Sequence, residues 1–180
     1  MKVLFALAAL LALAAALSLA GCGGGAAQMQ GAVRVELGTA ASDGTGFLPL
    51  TGDQTLVPGA QGGFHVWVKW KVQGMSPQKV HAQRSVRRTS DDALILMTEG
   101  AVEVGNPSDG WWELPSALPS FMCPTPIGVR VQDQEVKFDL VITADDNGEP
   151  GAPLGETTAT ATPRCPTDSE MSFCTQICDG

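Results

Sequence analysis

The chain has 180 residues, 44% of them apolar, with a formal net charge of −8, 21 glycines, 12 prolines and no tyrosine. Eighteen of the apolar residues lie in the first 21 positions, so the other 159 residues hold about 61, roughly 38%, enough for one packed domain and too few for two large ones. The Gly and Pro content beside only 17% charged residues excludes a coiled coil or helical bundle, and the acidic balance argues against nucleic acid as a partner.

Met1 and Lys2 make a short positive start, Val3 to Leu19 is a nearly unbroken apolar run, and the run closes on Leu19, Ala20, Gly21 and Cys22. The pattern is that of a secretory signal, with an uncleaved membrane span as the alternative. The closing residues resemble the lipobox of bacterial lipoprotein precursors. That resemblance implies cleavage before Cys22 by signal peptidase II, residues 1–21 as signal peptide, and fatty acyl (palmitate) chains on the Cys22 thiol. A Cys carrying two or three chains makes a durable membrane anchor, which one chain does not. The resemblance also implies sorting: Asp after the Cys commonly retains such proteins in the inner membrane, and Gly23 stands here instead, which favours the outer membrane.

Residues 22–31 continue as lipidated Cys and uncharged tether, rich in Gly and Ala. From Ala32 the pattern has period 2, with Val33, Val35 and Leu37 alternating with Arg34 and Glu36. Phe64, Val66, Val68, Trp70 and Val72 alternate with His65, Trp67, Lys69 and Lys71, which predicts a strand burying the first set. Further strands are expected over Lys79–Arg88, Ala93–Thr98, Val102–Val104, Ile127–Gln132, Glu135–Ala144 and Glu156–Thr162, the last two joined by a hairpin turn at Asn147 and Gly148. About eight short strands in residues 32–162, without a helix between them, predict an all-β fold: an antiparallel two-sheet sandwich, immunoglobulin-like in architecture only, with a jelly roll or small barrel as alternatives.

The character changes at Pro163, where a Cys-rich tail (163–180) begins. Asp168 or Ser169 can cap a short helix that places Cys174 and Cys178 on one face. Apart from Cys22, the cysteines are Cys123, Cys165, Cys174 and Cys178, an even number in a chain expected to be exported, so two disulfides are expected. Three connectivities are open; one joining Cys123 to the tail would pin the tail to the sheets. The spacing lacks the Cys-x2-Cys knuckle of a zinc site.

No nucleophile elbow, zincin helix or phosphate-binding loop occurs, so no enzyme, cofactor or metal is expected. His65 and His81, with Met75 or Met97, are the residues from which a copper site would have to be built. His65 is expected on the solvated face instead. Asp145, Asp146, Asn147, Gly148 and Glu149 do not keep the calcium-loop order, and a turn uses the same residue types.

Charge is segregated. No acid occurs from Gln54 to Ser90, where Lys69, Lys71, Lys79, Arg84, Arg87 and Arg88 lie, whereas Asp91 to Asp179 holds 16 of the 19 carboxylates. In one reading, Lys69 and Lys71 face Asp133, Glu135 or Asp139 on neighbouring strands; in the other, a basic patch meets anionic lipid or an acidic partner. Trp67 stands on the polar face between His65 and Lys69, and Trp111 and Trp112 follow a turn, so Trp67, His65, Lys69, Lys71, Trp111 and Trp112 form the expected recognition surface. The expected function is that of a lipid-anchored envelope protein, periplasmic or surface-facing, whose domain binds an envelope protein or matrix component. An accessory lipoprotein without a discrete ligand is the second reading, and a metal carrier or enzyme the third.

Overall fold

The computed structural model describes residues 33–41, 43–75, 79–105, 109–167 and 171–179. The expected signal peptide, Cys22, the expected tether, and Asp168 and Ser169, the residues expected to cap the helix, lie outside the described residues. In chain order the elements are β1 (Arg34–Thr39), β2 (Leu48–Pro49), β3 (Asp53–Thr55), β4 (Val57–Pro58), β5 (Phe64–Gln73), β6 (Lys79–Arg88), β7 (Leu94–Glu103), β8 (Trp111–Glu113), β9 (Leu118–Cys123), β10 (Val136–Asp146), β11 (Glu149–Arg164) and α1 (Met171–Cys178).

The fold is all-β and the strands make two sheets. In the first the order is β2-β1-β5-β4, and β8 and β9 share the other edge of β5. In the second the order is β3-β11-β10-β6-β7. Every pairing is antiparallel except that of β3 with β11, where Thr162, Pro163 and Arg164 run parallel to Asp53, Gln54 and Thr55. The expectation of a wholly antiparallel arrangement is corrected there. The strand also carries two residues past the expected end at Thr162, because β3 supplies partners for them.

The alternation in β5 has the predicted phase. Phe64, Val66, Val68, Trp70 and Val72 are all buried, and they meet Val80, Ala82 and Val86 of β6 and Phe138, Leu140 and Ile142 of β10 in the core. β10 alternates in the same way, and β6 turns Val80, Ala82 and Val86 inward, so the apolar rows of the two sheets share one interior. At the β10–β11 turn, Asn147 and Gly148 have φ of 56° and 94°, the left-handed values a two-residue hairpin needs.

Two sequence expectations change. Ala93–Thr98 and Val102–Val104 are one continuous strand ending at Glu103, since Gly100 stays in the ladder opposite Ala82. Ile127–Gln132 forms no strand: Pro124, Pro126 and a left-handed Gly128 keep it in turns, and Ile127 is fully exposed while Val131 is buried and donates to the Cys178 carbonyl. β2, β3, β4, β8 and β9 carry too few residues, or in β9 a Pro and a Ser within the pattern, to announce themselves.

The tail is tied to β9 by the disulfide Cys123–Cys178 and closed on itself by Cys165–Cys174, with Cα separations of 5.0 and 5.7 Å. Cys174 and Cys178, one turn apart on α1, are both buried. Two disulfides place the chain in an oxidising, exported environment.

Candidate functional site

The outer face of the first sheet carries the polar row of β5, and its residues do not lie as freely in solvent as alternation alone implies. His65 is only 5% exposed. The Trp67 ring meets it edge-on with centroids 4.4 Å apart, Phe121 of β9 lies 5.7 Å away, and a Cβ on Gly59 would come within 3.6 Å of its Nδ1. Neither ring nitrogen has a hydrogen-bond partner among the described residues, and burial pushes the imidazole below its ordinary pKa of 6.5. The expectation of a solvated histidine is corrected: aromatic rings from its own strand and from β9 cover it.

Lys69 is likewise 5% exposed, and its Nζ lies 2.5 Å from the Glu113 carboxylate of β8. Lys71 Nζ lies 2.9 Å from Glu36 of β1. Asp133, Glu135 and Asp139, the partners expected from sequence, flank or belong to strands of the other sheet and do not reach this face; the strands that flank β5 supply the carboxylates instead. Lys71 is also held between two rings, 4.4 Å from the Phe47 centroid and 4.6 Å from that of Trp111, while the Arg34 guanidinium lies 5.4 Å from Trp111. Phe47 reaches that position because Gly38, opposite Lys69, has no side chain: a Cβ there would meet the Phe47 ring and the Leu48 carbonyl at 2.6 Å.

Adjacent Trp111 and Trp112 point to opposite faces of β8, as alternation demands. Trp111 joins the outer row. Trp112 packs against the core and donates its Nε1–H to the Met75 carbonyl at 2.9 Å, so it leaves the recognition surface expected for it.

Trp67 is half-buried and lines a recess of about 410 Å³. The recess exists because β1 pairs with β5 only from Lys69 onward and β4 only up to His65, which leaves the intervening edge of β5 without a strand neighbour. The Thr39 hydroxyl, donating to the Trp67 carbonyl at 2.6 Å, caps part of that edge. The walls are Leu48, Pro49, Gln54, Thr55 and Val57 from the short strands β2 to β4. The lining combines apolar side chains and Trp67 with the hydroxyl and amide groups of Thr39, Gln54 and Thr55 and the Asp53 carboxylate. Phe47, Phe121, Glu36 and Glu113 were not singled out by sequence; Gly38 inside an alternating run was the one available signal that another group approaches the strand there.

The histidines and methionines do not form a common site. His65 lies on the outer face of the first sheet, whereas His81 lies on the outer face of the second, with its Nδ1 3.8 Å from Glu99. Met75 is in the core and Met97 is exposed on β7. Cys165, Cys174 and Cys178 cluster with Cys123 as disulfides. In the acidic turn, Asp145 Oδ2 pairs with Lys79 at 3.2 Å and accepts from the Gly148 N–H at 3.4 Å, and the Asn147 amide donates to Asp146. Among the described residues no helix is long and apolar enough to cross a membrane.

No protein-family model matches the chain, and no curated protein is significantly similar to it.

Proposed function

We propose that the protein is an envelope lipoprotein, held to the membrane through Cys22, whose domain binds an envelope protein or matrix component through the recess beside Trp67 of β5. The observation that carries this reading is the Trp67-walled recess of about 410 Å³ at the uncovered stretch of β5. A half-buried Trp beside an opening is the kind of anchor on which interfaces concentrate their energy. The neighbouring Lys69 and Lys71 are neutralised by Glu113 and Glu36, so apolar contact and shape outweigh long-range charge in this reading. The lipobox residues Leu19 to Cys22 support the anchor and Gly23 the outer membrane. The two core-sharing sheets support an immunoglobulin-like sandwich as the finer description of the domain.

Photo-crosslinking tests the reading in intact cells, with the reactive group at position 48 or 54 on the rim of the recess. One reproducible adduct that Trp67→Ala weakens at least tenfold is the expected result. Capture of abundant neighbours alone, unchanged by Trp67→Ala, would favour the accessory role. The anchor has its own test: Cys22→Ala is expected to move the folded protein to the soluble fraction, and a variant that stays with membranes at high salt would place the anchor elsewhere.

A further inference from the structure

Five of the six basic side chains in the acid-free stretch have a carboxylate within 4 Å: Lys69 with Glu113, Lys71 with Glu36, Lys79 with Asp145, Arg87 with Asp92 and Arg88 with Asp91. Arg84 has none among the described residues. Yet it occupies the row of β6 that carries Val80, Ala82 and Val86 into the core. Its guanidinium crosses the space between the sheets and donates from Nη1 to Ser120 Oγ of β9 at 3.4 Å, and Ser120 is 1% exposed.

The neighbours make a layer. Thr98, directly opposite Arg84 on β7, has a buried hydroxyl without a hydrogen-bond partner among the described residues. Gly100, the next inward position on β7, has no heavy atom within 4 Å of where its Cβ would be. The apolar interior divides at this level: Val86, Phe138 and Met122 belong to one cluster and Ala82, Leu140 and Leu118 to the other. Arg84, Thr98 and Ser120 stand between the halves, at the side where β7 ends the second sheet and approaches β9 of the first.

Arg84 is partly buried, and a cation partly withdrawn from water with a single serine oxygen at 3.4 Å as acceptor is left short of counter-charge. Burial alone pushes the guanidinium below its ordinary pKa, which is the direction expected when no anion compensates.

We propose that Arg84, Thr98 and Ser120 bind the carboxylate of a small monocarboxylic acid with an apolar body, admitted between β7 and β9 beside Gly100. The planar fork of a guanidinium matches two carboxylate oxygens, and the two hydroxyls are additional donors of the right kind. A single cation balances a monoanion; a phosphate dianion would leave excess negative charge inside a chain of net −8. The leucine, valine and methionine side chains above and below the layer suit an aliphatic body. This site is separate from the recess at Trp67 and stands whether or not that face binds a partner.

The test uses the full chain with its disulfides intact, in neutral detergent at constant ionic strength, with acetate, hexanoate, hexanol and inorganic phosphate as probes. Melting temperature and amide chemical shifts are the readouts. Hexanoate at a hundred times its Kd is expected to raise Tm by roughly 5 to 10 °C. It should also move the amides of Arg84, Thr98 and Ser120, whereas hexanol and phosphate at equal concentration should do neither. Arg84→Met should weaken hexanoate binding at least tenfold, and the milder Thr98→Val should weaken it several-fold if Arg84→Met does not fold. No response to either carboxylate would overturn the proposal. So would hexanol matching hexanoate, phosphate matching hexanoate, or an undiminished response in both variants.

Discussion

At the scale of single residues, the environment decides what each side chain of β5 does. Trp70 is fully buried between the sheets, so Trp70→Ala should lower the unfolding free energy by about 3 to 5 kcal/mol, read from chemical denaturation. A loss under about 1 kcal/mol would mean that the two faces of β5 are exchanged. His65, five residues earlier, is buried on the opposite face without a partner among the described residues, and its folded pKa lies below 6.5. The unfolded chain therefore binds the proton more readily. The stability conferred by neutral His65 is complete above pH 6.5 and is lost as pH falls through the depressed folded value. His65→Phe should flatten the acid limb of a stability profile between pH 7.5 and pH 5; an unchanged slope would assign that limb to other groups.

At the scale of elements, short strands set the shape of the outer face of the first sheet. β1 leaves β5 at Gly38, and the Phe47 ring fills the position a side chain would occupy there, which in turn places that ring over Lys71. Gly38→Ala forces Phe47 or the Leu48 carbonyl to move. The expected cost is about 1 to 3 kcal/mol, the range for overpacking, together with a change in Trp111 fluorescence as the Lys71 contact is disturbed. A neutral substitution would show that the β1–β2 connection yields freely. β9 makes the complementary point: Pro119 is tolerated because β9 pairs with β5 on one side only, so a residue that reads as a strand breaker lies in a genuine strand.

At the scale of the whole molecule, the disulfides differ in what they constrain. Cys123 and Cys178 are 55 residues apart and close a loop that contains β10 and β11, whereas Cys165 and Cys174 are 9 apart within the tail. Loop-closure entropy assigns about 4 kcal/mol to the first and about 2.5 kcal/mol to the second. Replacing each pair by alanines should therefore lower the denaturation midpoint in that order. The reverse order would mean that the short loop organises α1 more than the long one restrains the unfolded chain.

Much of the strand inventory was legible in the sequence because a two-residue period needs only local information. Phe64 to Val72, Lys79 to Arg88 and the Asn147–Gly148 turn all follow from backbone geometry that neighbouring residues share. The two disulfides followed from an even cysteine count in a chain whose apolar N-terminal run predicts export. Alternation also assigns each residue to one of two faces, but it does not say what lies over that face. His65, Trp67 and Lys69 were placed on the correct side of β5, yet their burial depended on Phe121, Gly59 and Glu113, residues distant in sequence that sheet pairing brings alongside. The parallel pairing of β3 with β11 and the lack of a carboxylate beside Arg84 among the described residues are likewise decided by which strands become neighbours. The sequence by itself determined the period, the phase and the turns; tertiary structure decided the partners, because a side chain's energy depends on contacts that chain order does not contain.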